Sequence, residues 1–149
     1  MDDEETWRSV PSFEGVMASS WGRLCLPPSV ACMPKGGERI YTPKPAYGTV
    51  ARANSKAKHC YRNIFNRRLG NIKVHRAVCE AFHGPCPVGL ETLHLDEDGL
   101  NNRPENLRWG TRKENLNAPG FKNYCRGRTG DNSSVAKGLA KRKDEATND

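Results

Sequence analysis

His94 stands in a short apolar stretch, Leu93-His94-Leu95, and is followed by Asp96 and Asp98, then Asn106, then Asn115. An imidazole, with an unperturbed pKa of ~6.5, is the side chain already poised to take a proton near neutral pH, which makes His94 a candidate general base. Asn115 offers a carbonyl oxygen and the two aspartates offer carboxylates, the hard oxygen donors that Mg²⁺ prefers. A base near such donors suits metal-assisted hydrolysis. Each residue also has a plainer reading. His94 can be a satisfied polar strand residue, Asn106 a turn residue bonding nearby backbone, Asn115 an ordinary first-turn helix residue, and the aspartates a solvated acidic turn.

Those side chains need elements to hold them. The run around His94 reads as a strand, whose alternation puts Asp96 on the face of His94 and leaves Asp98 to the next loop. A polar loop through Asn101-Asn102 leads to a second strand at Leu107-Arg108-Trp109. Thr111-Arg112-Lys113-Glu114 has the spacing of a capping box, which predicts a helix from Thr111 with Asn115 in its first turn. Upstream, Val74, Ala77, Val78, Ala81 and Phe82 recur at helical spacing and predict a helix over 74–82, stopped by Gly84-Pro85.

A strand histidine, a polar loop, a second strand and a capped helix bearing an asparagine, in that order, resemble the ββα-metal (His-Me finger) fold of HNH nucleases. The helix Val74-His75-Arg76-Ala77-Val78-Cys79-Glu80-Ala81-Phe82 is similar to a Val-His-Arg-x-Val-x-x-Ala-Phe segment that precedes this motif in one HNH subfamily, so the resemblance runs from about 74 to 117. It implies that His94 activates water, Asn106 braces the loop, and Asn115 holds one Mg²⁺ or Mn²⁺ per active site for phosphodiester hydrolysis. Many family members place a further metal ligand just before the strand histidine. Here that position is Leu93, and Asp96 is the better-placed substitute. His75 lies in the resembling segment and is a candidate active-site neighbour, with packing or hydrogen bonding as its plainer role.

The expected fold class is α+β: a small hairpin-rich N-terminal region, a ββα-metal motif and an extended basic tail. Residues 1–43 hold Trp7, Phe13-Glu14-Gly15 and Ser19-Ser20-Trp21-Gly22-Arg23-Leu24, similar to a modular DNA-binding motif found ahead of HNH domains. A plain aromatic mini-core is the alternative. Arg23 beside Gly22 is a candidate phosphate contact, since glycine lets backbone and guanidinium approach closely. Val30 to Pro45 is dense in proline and glycine and reads as loop.

Residues 44–118 form the expected nuclease domain. It opens with strands at Tyr47–Arg52 and His59–Phe65 joined by a polar turn around Asn54-Ser55-Lys56, and its ββα motif spans 90–118. Arg62, Arg67, Arg68 and Lys73, with Arg112 and Lys113 on the later helix, are candidate DNA contacts, or else a solvated basic face. Residues 119–149 read as a flexible basic DNA-binding tail, in which few apolar residues interrupt Gly, Ser, Asn, Lys and Arg.

Composition agrees with a small DNA-handling protein. Lys+Arg of 24 against Asp+Glu of 17 gives a net charge of +7, which favours a polyanionic partner, here double-stranded DNA. The hydrophobic share of 36% supports only a modest core at 149 residues. No apolar run approaches the ~20 residues needed to span a bilayer and no signal-peptide pattern opens the chain, so the expected location is cytoplasmic, in a host cell if phage-encoded. The six cysteines, Cys25, Cys32, Cys60, Cys79, Cys86 and Cys125, contain no C-x-x-C knuckle, which argues against structural zinc and for reduced thiols.

Three function classes follow. The first is a metal-dependent HNH endonuclease nicking duplex DNA, of phage or homing type, as monomer or dimer. The second is a DNA-binding protein on the same scaffold that lacks activity because of Leu93. The third is an RNA-binding or purely structural basic protein.

Overall fold

The computed structural model describes residues 4–52 and 60–126; residues 1–3, 53–59 and 127–149 lie outside the described residues. The turn expected at Asn54-Ser55-Lys56, His59 and most of the expected tail fall in the latter group. The fold is α+β. Its first unit runs to Thr111 and a second begins at Arg112.

The first unit opens with an antiparallel sheet of β1 (Trp7–Ser9), β2 (Met17–Ser19) and β3 (Leu24–Cys25). A separate hairpin follows, β4 (Ser29–Cys32) with β5 (Glu38–Tyr41), where the sequence predicts loop. Its turn explains the difference. Gly36 and Gly37 take φ of +85° and +91°, and the Met33 N–H donates to Gly37 O at 2.9 Å, so the residues that suggest irregular chain are the ones that reverse it. A third sheet orders β6 (Thr49–Arg52), β7 (Cys60–Asn66) and β8 (Gly70–Lys73), the last of which the sequence reading omits.

Helix α1 (Val74–His83) follows β8 directly and is stopped by Gly84 at φ +84°. Of the predicted stripe, Val74, Ala77 and Val78 are buried, together with Cys79, in a cluster with Ile72, Leu107, Val10, Val16, Ala18 and Leu24, while Ala81 and Phe82 pack partly buried against it. Each large aliphatic side chain in this cluster contributes about 1.5–3 kcal/mol of transfer free energy. The N-terminal strands and α1 therefore share one core. Glu80 of α1 is only 4% exposed, and its carboxylate accepts hydrogen bonds from the backbone N–H and the hydroxyl of Ser12, which satisfies a buried charge. Burial pushes the Cys79 thiol up to about 12, so it packs as a small apolar group.

The hairpin of β9 (Leu90–His94) and β10 (Leu107–Thr111) completes this unit, with a 3₁₀ turn at Pro104–Asn106 just before β10. Two side chains tie it to the end of α1. The Trp109 indole N–H donates to Gly84 O at 3.1 Å, and His83 Nε2 lies 2.8 Å from Pro104 O.

The second unit contains α2 (Arg112–Asn117) and α3 (Pro119–Arg126). Strand β10 ends at Thr111 and α2 begins at Arg112, where a capping box with Thr111 as N-cap puts the first helical residue. The expected flexible tail begins instead as helix α3. Pro119 takes the first helical position, where a missing N–H is harmless, and the Lys122 N–H donates to Ala118 O at 3.0 Å. No helix among the described residues is long and apolar enough to cross a membrane.

Candidate active site

The β9–β10 ladder sets the direction of each side chain. His94 pairs with Leu107 and Leu93 with Arg108, so neighbouring residues on β9 face opposite ways. Leu93, 8% exposed, packs close over Gly110, where a Cβ would lie 2.3 Å from Leu93 Cδ1. The position that would supply a metal ligand in the resembling family thus holds an apolar side chain turned into the hairpin. His94 takes the other face and is half-buried.

The chain then leaves the strand. The alternation expected to carry Asp96 to the face of His94 ends at His94, because Glu97 adopts a left-handed φ of +62° and the Asp98 N–H donates to Asp96 Oδ1 at 2.9 Å, closing a tight turn. Asn106 ties this loop together. Its Nδ2 donates to Asp96 Oδ1 at 2.8 Å and to Asn101 O at 2.9 Å, its Oδ1 accepts from the Asp96 N–H at 3.1 Å, and its backbone oxygen accepts from the Leu95 N–H. Gly99 lets the same loop approach β7, since a Cβ there would lie 2.2 Å from Cys60 O.

Asp96 Oδ2 accepts from Asn101 Nδ2 at 2.7 Å and has no second donor among the described residues, so one exposed carboxylate oxygen keeps lone-pair capacity. Burial acts to raise the Asp96 pKa, but hydrogen bonds from Asn101, Asp98 and Asn106 and the nearby His94 outweigh it and hold the carboxyl below its ordinary range. An ionised oxygen donor of this kind suits Mg²⁺ or Mn²⁺.

Around His94 three rings meet. His75 from α1 lies 5.4 Å from it centroid to centroid, and Tyr61 from β7 lies 6.1 Å from His94 and 5.1 Å from His75. Burial lowers the His94 pKa, while a hydrogen bond with Asn102 and the Asp96 and Asp98 carboxylates act the other way; the net direction is down. Burial, then the charges of His94, Lys73 and Arg76, push His75 down to about 3. Both imidazoles are therefore neutral at pH 7, the state a base requires.

The structure brings His94, Asn106, Asp96 and His75 together. Asn115 is the fourth residue of α2 and exposed, in the second unit, as are Arg112 and Lys113. Arg67 and Arg68 are exposed in the β7–β8 turn. Arg62 stacks on Tyr47, 5.5 Å from its centroid. Arg23 is ion-paired with Glu5 and flanked by the rings of Trp7, Trp21 and Tyr47 at 5.9, 5.4 and 5.9 Å. Its partner, Glu5, is held below the ordinary carboxylate range by that hydrogen bond.

Sequence reasoning missed Tyr61 and Asn102. Tyr61 reaches the site through strand pairing that no local pattern encodes. Asn102 is one of two adjacent asparagines, and only the fold shows that its Oδ1 lies 3.2 Å from His94 Nε2.

Residues 73–117, from the start of α1 to the end of α2, match a family model described as HNH endonuclease. This segment is similar to HNH endonucleases. A solved structure concerned with DNA binding and cleavage by the HNH homing endonuclease I-HmuI is similar at a TM-score of 0.50 and 24% sequence identity, covering 93% of this chain and 68% of that one. The HNH segment is thus set in a fold of the same kind. No curated protein matches the sequence.

Proposed function

We propose that this protein is a metal-dependent HNH endonuclease that hydrolyses phosphodiester bonds and nicks duplex DNA, of phage or homing type. The observation that carries the reading is His94, a half-buried imidazole within the HNH segment, kept neutral at pH 7 beside a loop braced by Asn106. In this reading His94 takes a proton from water, the resulting hydroxide attacks phosphorus in line, and the bond to the 3′-oxygen breaks. A Mg²⁺ or Mn²⁺ held by Asn115 and Asp96 would supply positive charge to the phosphate and the leaving oxygen.

Double-stranded DNA is the substrate that the family match and the homing-endonuclease likeness support. The net charge of +7 agrees with it. Arg62, Arg67, Arg68, Arg112 and Lys113 are assigned to the phosphate backbone, and Arg23 to a rigid aromatic-faced contact oriented by Glu5. One such site cuts one strand.

Supercoiled plasmid incubated with Mg²⁺ or Mn²⁺ tests the reading. Wild-type protein converts it to the open circle, and His94→Ala lowers the rate by about 10²–10⁴-fold, the scale of a lost general base. Asn115→Ala raises the metal concentration required. Equal background nicking by all of these proteins rejects the assignment. The burial of Leu93 supports a second reading, DNA binding without cleavage. In that case gel shifts retain steep salt dependence while no metal produces nicks.

A further inference from the structure

Asn102 is 3% exposed, and its Oδ1 lies 3.2 Å from His94 Nε2. Its Nδ2 is buried with no hydrogen-bond partner among the described residues, an unmet donor that a purely structural asparagine would ordinarily avoid. An amide oxygen only accepts hydrogen bonds, so a neutral His94 facing it must carry its proton on Nε2. The hydrogen bond made by one ring nitrogen thereby selects which nitrogen keeps the lone pair.

Two parts of the chain hold Asn102 in place. On one side Asn106 Nδ2 donates to the oxygen of the preceding residue, Asn101. On the other is Gly22, in the turn between β2 and β3, whose N–H donates to Ser19 O at 3.0 Å. Gly22 has φ +77°, and a Cβ there would lie 2.7 Å from both the carbonyl carbon and the oxygen of Asn102. Backbone atoms cannot swing aside as a side chain can. The close approach that Gly22 permits is therefore to the loop beside His94.

We infer that Asn102 is a positioning residue: it holds His94 as the Nε2–H tautomer, leaving Nδ1 to take the proton from water, and Gly22 is the stop that sets it. The inference rests on the nuclease reading for the role of Nδ1 and on geometry alone for the pairing. Long-range ¹H–¹⁵N correlation on the full chain, at a pH well above the imidazole range, reads the tautomer directly, independently of activity.

Wild-type His94 shows a protonated Nε2 and a bare Nδ1. Asn102→Leu moves both ring nitrogens toward the averaged positions of a freely exchanging imidazole and lowers the kcat of nicking about 10- to 100-fold with little change in KM, the scale seen when groups orienting a functional histidine are lost. Asn102→Asp, which keeps an acceptor, holds the tautomer. Gly22→Ala reproduces the effect of Asn102→Leu. Gly36→Ala carries similar backbone strain at φ +85° but meets nothing within 4 Å, and it leaves His94 unchanged.

Amide dispersion shows which variants are folded. A wild-type His94 protonated on Nδ1, or ring nitrogens unmoved in folded Asn102→Leu and Gly22→Ala, overturns the inference. A wild type with the expected tautomer that nicks nothing overturns the nuclease reading and the role of Nδ1, while the pairing stands.

Discussion

Among the described residues, two antiparallel strand pairs of similar length, β4–β5 and β9–β10, stand as two-stranded sheets, and they differ in what backs them. In β9–β10, Leu93 and Leu107 are buried, Trp109 and His83 fasten the region to the end of α1, and the loop is closed by Asn106. In β4–β5 no residue is buried, and the paired Val30 and Ile40 are 58% and 70% exposed. A two-stranded hairpin alone is marginal in water. The comparison teaches that a strand ladder defines direction, whereas packing defines position. A base must be held to within about half an ångström, so the candidate chemistry lies where ladder and core coincide.

Substitutions can break or sharpen that contrast. Leu107→Ala, in the core at 2% exposure, is expected to cost about 2–5 kcal/mol in urea unfolding, because the surrounding helix and strands cannot fully collapse onto the void. Asn106→Ala removes the loop brace and leaves the part-buried groups of Asp96 and Asn101 that it bonds unmet, for a loss of about 1–3 kcal/mol and faster amide exchange in residues 95–106.

The His75 effect depends on pH. With its folded pKa pushed down to about 3, the unfolded chain takes up a proton below ~6.5 that the folded one does not, so stability is full above that pH. It falls as pH drops toward 3, by at most about 1.4 kcal/mol per unit. Denaturation midpoints over that window should therefore decline less steeply in His75→Gln than in wild type. The smallest effect is expected in the exposed hairpin, where Ile40→Ala changes stability by no more than about 0.5 kcal/mol. A loss there as large as that of Leu107→Ala would show that the two hairpins are backed alike.

What could be read from the sequence were features with local periodicity or fixed spacing. The stripe of Val74, Ala77, Val78, Ala81 and Phe82 marks α1 because helical geometry repeats over short distance, and Gly84 marks its end. The order of strand, loop, strand and helix that carries His94, Asn106 and Asn115 was legible because a family resemblance preserves order. Contacts made across the fold were not. Gly22 against Asn102, Tyr61 beside His75, and the core shared by Leu24 and Val78 join segments 14 to 80 residues apart, and no single segment encodes its partner. Asp96 comes to the site by another route than the strand alternation expected of it. Alternation is reliable only while a strand continues, and β9 ends at His94, so Asp96 sits in the turn that follows.

The hydrogen bond from Trp109 to Gly84 has a spectroscopic consequence. Of the three tryptophans, Trp7 and Trp21 flank the guanidinium of Arg23, whereas Trp109 reports from the junction of α1 and β10. In a Trp7→Phe, Trp21→Phe background, the emission of the remaining indole becomes a local optical gauge of the His94 hairpin, readable without any cleavage having to occur.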